Sequence, residues 1–267
     1  MPGGGSDDAA HTTNHQKQNQ NQSSTPDKDV AARVFFENMY KLLVDDCYVL
    51  RKTTGCHELA EFIYGVHRNP KAAAELYEAN CLTRHNAKSC FRSGVLAFDG
   101  EGVARDSVRA LARFRRACEL GSAEGCNNAA MMFQRGVGCP ADLDVAERLF
   151  LKACDQLLYT NACYNLSSFY LLGGVVPPAP PKLKPGETPP ATRPPLPPAN
   201  KELQNLPKAL EYSLRGCEYG HPYACINASR MYLTGDGIPK DEVKGTYYRR
   251  QAEELLQIYV PSSPFAR

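Results

Sequence analysis

Ten of the eleven cysteines form five couples that recur along the chain: Cys47 with Cys56, Cys81 with Cys90, Cys118 with Cys126, Cys154 with Cys163, and Cys217 with Cys225. Seven or eight residues separate the members of a couple, and the first members stand 34, 37, 36 and 63 residues apart. Self-similarity at a period in the mid-thirties is the signature of a helical-hairpin solenoid, because each hairpin buries its apolar face only against its neighbours. The 63-residue step is one period plus an insertion. Residues 174–200 hold eleven prolines, from Pro177 to Pro198, and removing these 27 residues restores a step of 36. Such a segment is expected to be an extended, polyproline-like loop that adds no core.

One repeat shows how the unit is built. Phe91, Val95, Leu96 and Phe98 recur at helical steps before Asp99, Gly100, Glu101 and Gly102 stop the helix. Asp106 then offers an N-cap for a second helix whose Ala110, Leu111, Phe114, Ala117 and Cys118 mark one apolar face, ending near Gly121. The scheme returns with Met131, Met132 and Phe133 before Gly136 and Gly138, then Asp142, Ala146 and Phe150. It returns again with Met231 and Tyr232 before Gly235 and Gly237. The fold class is therefore all-α, a superhelical solenoid of about five hairpins. Each first cysteine falls in the last turn of a second helix, and each second cysteine in the opening turn of the next first helix.

A bond within each couple would staple adjacent hairpins. In the chain-entropy model, closing a loop of this size removes roughly 2.5 kcal/mol of denatured-state freedom per bridge. Buried reduced thiols are the plainer alternative, but five regular couples favour disulfides. Cys139 is left over as a free thiol in the loop between two helices.

The organisation expected is a disordered tail over residues 1–27, a solenoid over 28–258 carrying the proline-rich insertion at 174–200, and a C-terminal tail over 259–267. Lys plus Arg number 31 against 29 Asp plus Glu, a balance that points to no nucleic-acid or anionic-membrane partner. No apolar run approaches the roughly 20 residues of a transmembrane segment.

The residues Ala110 to Gly121, and Asn227 to Tyr232 followed by Gly235, Asp236 and Gly237, resemble SEL-one-like repeats of the cysteine-stapled kind. Phe36 to Met39, Ala79 to Cys81, Ser89 and Cys90 with His85 between, and Ala224 to Tyr232 resemble the mitochondrial cytochrome c oxidase assembly factor 7 family, over roughly residues 30 to 255. The tail, the insertion, Asn127 and Gln134 depart from it; the last two stand where histidines are expected. The resemblance implies a role in complex IV biogenesis, haem binding, and action on the thiols of copper metallochaperones as protein clients. The expected location is the mitochondrial intermembrane space. Disulfides need an oxidising compartment, and the sequence from Met1 shows neither a secretory run nor a matrix presequence.

The chain contains no Cys-x-x-Cys, phosphate-binding loop, His-Glu-x-x-His helix or Gly-x-Ser-x-Gly elbow. A thiol–disulfide oxidoreductase activity would have to use one of the couples, and sequence cannot rank the five. Haem would need axial ligands, for which His85 and His221 are candidates with Met131 or Met132 opposite. Solvated or capping histidines are the simpler reading. Catalytic residues and a metal site are not identified. Beside the assembly-factor reading stand a haem-bearing reductase of metallochaperone cysteines, and a secreted cysteine-rich interaction module or β-lactam-binding hydrolase.

Overall fold

A computed structural model of the chain describes residues 26–176 and 199–259. Apart from their edges, the expected tails and the expected proline-rich loop lie outside the described residues. The chain divides into two units, residues 1–42 and 43–267. The described part of the first is residues 26–42 of helix α1 (Pro26–Val44), which carry exposed Val30, Val34 and Phe35.

After the end of α1, the second unit runs through a π-helical turn, Asp45–Val49, and continues as five hairpins. These pair α2 (Thr53–Gly65) with α3 (Pro70–Arg84), α4 (Ala87–Asp99) with α5 (Ser107–Glu119), and α6 (Ala123–Arg135) with α7 (Leu143–Leu151). The last two pair α8 (Thr160–Leu172) with α9 (Leu206–Glu218), and α10 (Pro222–Thr234) with α11 (Glu242–Tyr259). A second π-helical turn, Lys152–Gln156, prolongs α7. Each helix packs on the next in sequence, the arrangement of a solenoid.

The second helix of every hairpin starts on an Asx cap. Asn69, Asp106, Asp142, Asn205 and Asp241 accept from the backbone N–H of Ala72, Arg109, Val145, Lys208 and Lys244 at 2.9–3.1 Å. Each cap satisfies a donor that would otherwise be unpaired. The same five residues close the hairpin through their own N–H groups, donating to the carbonyls of Ile63, Ala97, Phe133, Tyr170 and Tyr232 at 2.8–3.1 Å. One residue thus sets both the start of the second helix and its docking to the first.

The loops between paired helices also set the distance between repeats. Gly102 and Gly138 have positive φ, and a Cβ on either would lie 2.4 Å from the backbone of Pro70 or Ser107, at the start of the preceding second helix. Only glycine permits that approach. Alanines fill the tight crossings, Ala73, Ala97, Ala110, Ala130 and Ala146 among them, while Tyr77, Phe150, Leu166 and Met231 supply bulk at 0% exposure. Each such large side chain contributes roughly 1.5–3 kcal/mol on burial.

Candidate functional site

The cysteines meet at the junctions between hairpins. Disulfides join Cys47 to Cys56, Cys81 to Cys90, Cys118 to Cys126, Cys154 to Cys163 and Cys217 to Cys225, with Cα–Cα distances of 4.3 to 4.8 Å. Cys81, Cys118 and Cys217 sit in the last turn of an α-helix; Cys47 and Cys154 depart from that expectation and occupy the π-helical turns. Spacing explains the difference. Couples eight residues apart turn on Gly121 and Gly220 at φ 91° and 82°, whereas couples nine apart hold the extra residue by placing Arg51, His85 or Leu158 in the left-handed region. A widened helix end absorbs the insertion in two of those three cases.

Basic side chains from later second helices reach back to two junctions. Arg84 Nη1 donates to the Cys47 carbonyl at 2.9 Å and also contacts Cys56 Sγ. Lys152 Nζ donates to the Cys118 carbonyl at 3.0 Å. Nine of the ten bonded cysteines are at most 3% exposed. Cys217 alone among them is partly exposed.

A half-buried charge network locks the first two second helices together. Arg113 donates to both Glu78 oxygens at 2.6 and 2.8 Å, Arg109 adds a contact at 3.2 Å, and Ser93 Oγ donates at 2.5 Å. Burial pushes the Glu78 carboxyl upward, but the hydrogen bonds from Arg113 and Ser93 and the charges of both arginines outweigh it, holding the carboxyl below its ordinary value.

A cavity of about 230 Å³ opens between α4 and α6. Val95, Phe98, Phe114, Met131, Met132 and Val137 form its apolar wall, with Asp99, Asn128 and Arg135 supplying polar groups. Periodicity marks these aromatic and methionine residues as core, yet Val95, Phe98 and Met131 are only partly buried. The sequence signal for the cavity is the width of the stripe on α4. Leu96 and Ala97 are buried, while Val95 and Phe98 pack against the Ala97, Leu111 and Phe114 cluster and still turn part of their apolar surface to the cavity.

The histidines offered to haem stand apart and are used locally. His85 is the exposed, left-handed residue at the α3–α4 corner, and its Nδ1 pairs with Arg116 Nη2 at 3.1 Å. His221 is the N-cap of α10: its Nδ1 accepts from Ala224 N–H at 3.3 Å, its ring stacks on Tyr164 at 4.5 Å, and burial lowers its pKa. Two further junctions lie between them. No imidazole lines the cavity that Met131 and Met132 face. Asn127 and Gln134, where the resemblance expects histidines, are amides joining repeats: Asn127 Oδ1 accepts from Asn165 at 2.8 Å, and Gln134 donates to the Gly174 carbonyl at 3.0 Å. The described residues do not fit a haem held by His85 or His221 with either methionine opposite. Nor do they include a cluster of three or more His, Cys, Asp or Glu arranged to hold a metal ion.

Cys139 is a free thiol in the α6–α7 loop, half-buried against the cluster that includes Leu111, Phe114 and Met132 rather than fully open. Burial and then the charge of Asp142 raise its pKa, against the influence of Arg115.

The Sel1 repeat family matches residues 87–122, 123–156, 160–182 and 222–255, with the third match ending inside the proline-rich insertion. A Sel1 repeat protein from Oxalobacter formigenes has a similar fold, with a TM-score of 0.65 at 17% identity over 89% of this chain and 92% of that one. Among curated relatives, "Cytochrome c oxidase assembly factor 7A" of Xenopus laevis is 28% identical over 82% of this chain and 86% of its own length. "Cytochrome c oxidase assembly factor 7" is 30% identical in Danio rerio, over 83% of this chain and 88% of that protein, and 32% identical in Homo sapiens, over 83% and 87%. Each match spans 86–88% of the relative. The chain therefore belongs to the cytochrome c oxidase assembly factor 7 family.

Proposed function

We propose that the protein supports assembly of cytochrome c oxidase in the mitochondrial intermembrane space, as a disulfide-stapled scaffold that engages copper metallochaperone clients. The observation that carries the reading is the match to relatives named for that assembly role over 86–88% of their length. Five disulfides agree with an oxidising compartment. Among the described residues, no helix is long and apolar enough to cross a membrane.

The client is assigned to the cavity between α4 and α6. An apolar side chain of the client seats against Phe98, Phe114 and Met131, while Asp99 and Arg135 bond polar groups beside it. The test is deletion of the gene, complemented with the natural chain or with the Phe98→Ala, Met131→Ala double variant. Deletion lowers cytochrome c oxidase levels; the natural chain restores them and the variant does not. Normal oxidase levels without the protein would end the assembly reading, and full rescue by a stably expressed variant would remove the cavity from it.

A second reading, thiol–disulfide exchange with metallochaperone cysteines, is favoured by the partial exposure of one disulfide. Its test is incubation of the reduced protein with an oxidised copper-chaperone domain. Client thiols appear if electrons pass, and a holdase leaves the client oxidised.

A further inference from the structure

The five disulfides are alike in sequence but not in access. Cys47, Cys56, Cys81, Cys90, Cys118, Cys126, Cys154, Cys163 and Cys225 are at most 3% exposed, whereas Cys217 is partly open to solvent. Covering side chains explain part of the contrast. Arg84 lies over Cys47 and Cys56, and Lys152 reaches the Cys118 carbonyl. At the α9–α10 corner the flanking residues are exposed and apolar: Tyr219 at 40%, Tyr223 at 37% and Ile226 at 39%. Its partner Cys225 is buried in the first turn of α10, where helix backbone N–H groups favour a thiolate.

From this geometry we infer that Cys217–Cys225 is the couple that exchanges electrons with external thiols and disulfides, with Cys217 the sulfur that forms the mixed disulfide. The inference deepens the exchange reading and rests on it. An incoming thiolate, from a low-molecular-weight thiol such as glutathione or from a protein dithiol, attacks Cys217 Sγ. A new S–S bond forms as the Cys217–Cys225 bond breaks, and the electron pair leaves on Cys225 Sγ, which takes a proton from water. A second thiolate then attacks the donor sulfur of the mixed disulfide and frees Cys217. The donor is oxidised by two electrons and the couple is reduced by two. Towards a client disulfide the order reverses: Cys217 attacks, Cys225 resolves, and the client leaves as a dithiol. Exposed Tyr219, Tyr223 and Ile226 give the client an apolar surface at the same corner.

Buried Cys56 beside Arg84 is the competing candidate, since a guanidinium stabilises a leaving thiolate. Access decides against it, because an attacking thiolate must approach along the S–S axis and both of its sulfurs are covered.

The test is partial reduction of the oxidised full-length chain with glutathione, trapping new thiols with one alkylating label and the remainder, after full reduction, with another. Cys217 and Cys225 are expected to take the first label at least tenfold faster than any other couple. Earlier labelling of Cys47 and Cys56, or simultaneous labelling of all five couples, overturns the inference. A matched pair of variants separates chemistry from stapling, because Cys225→Ser and Cys217→Ser delete the same bridge. With oxidised glutathione as probe, Cys225→Ser should gain one glutathione at Cys217, while Cys217→Ser leaves Cys225 unmodified; equal adducts would sink the assignment. If the protein reduces a client disulfide while another couple labels first, the exchange reading survives and this inference fails. If Cys217 and Cys225 label first but no client disulfide is reduced, the exchange reading fails and only the ranking of the couples stands.

Discussion

Asn205 donates its backbone N–H to the carbonyl of Tyr170 at 3.0 Å, although 34 residues of chain lie between them. Asp106 and Ala97, and Asp142 and Phe133, make the same bond across eight residues. The fourth hairpin therefore closes like the others, despite the insertion in the sequence between these two residues. Asn200 N–H bonded to the Leu172 carbonyl at 3.0 Å and Gln204 Nε2 to the Leu171 carbonyl at 2.8 Å pin the returning strand of the loop.

Deletion of residues 177–198 is accordingly expected to leave the fold intact. Loop-closure entropy changes by only about 0.6 kcal/mol per doubling of length, so shortening this loop stabilises by on the order of 1 kcal/mol. Thermal melting followed by helical ellipticity checks this. A fall of melting temperature by ten degrees or more would show that the insertion packs on the hairpins.

The Asx caps set a second expectation. Asp142→Ala removes the acceptor for Val145 N–H and should cost about 1 kcal/mol in denaturant unfolding, while Asp142→Asn keeps most of the stability. Equal losses in the two variants would mean that the backbone bond to Phe133, not the side chain, sets the helix start.

Gly138→Ala is expected to destabilise by about 2 kcal/mol or more. The new Cβ meets the Ser107 carbonyl oxygen at 2.4 Å, and φ of 76° adds strain. Gly121→Ala is the control. Its φ is also positive, at 91°, but nothing lies within 4 Å of the added Cβ, so it should lose less. A reversed order would mean that steric approach does not space the repeats.

Glu78 predicts an acid-sensitive contribution. Its folded pKa lies below the unfolded value, so the stabilisation is present above the unfolded carboxylate range near pH 4 and is lost as pH falls through the folded pKa. Glu78→Gln should cost on the order of 2 kcal/mol at pH 7, because Arg113 and Arg109 lose their counter-charge, and less at pH 2. Unfolding at the two pH values measures this. An undiminished difference at pH 2 would mean that shape rather than charge accounts for the loss.

The repeat period, the five cysteine couples, the insertion and the helix caps Asp106 and Asp142 were all legible in the chain because each is a local or regularly spaced signal. Hydrophobic spacing, capping chemistry and cysteine separation need no knowledge of what lies across space. The family too was legible, since its motifs fall on the conspicuous cysteine and glycine positions. Other features depended on neighbours distant in sequence. Val95 and Phe98 carry the same periodic mark as Leu96, yet packing of α4 against α3 and α5 leaves them facing a cavity towards α6. Cys217 has the same separation from its partner as Cys118, and no residue near it in sequence announces that it is the more open of the two. The covering groups come from residues such as Arg84 and Lys152, 37 and 34 positions beyond the cysteines they reach. The bonding partners of the cysteines could be read from spacing, because a disulfide joins sulfurs that the helix ends already bring together. Their exposure could not, because burial is set by whichever side chains the neighbouring hairpins lay over them.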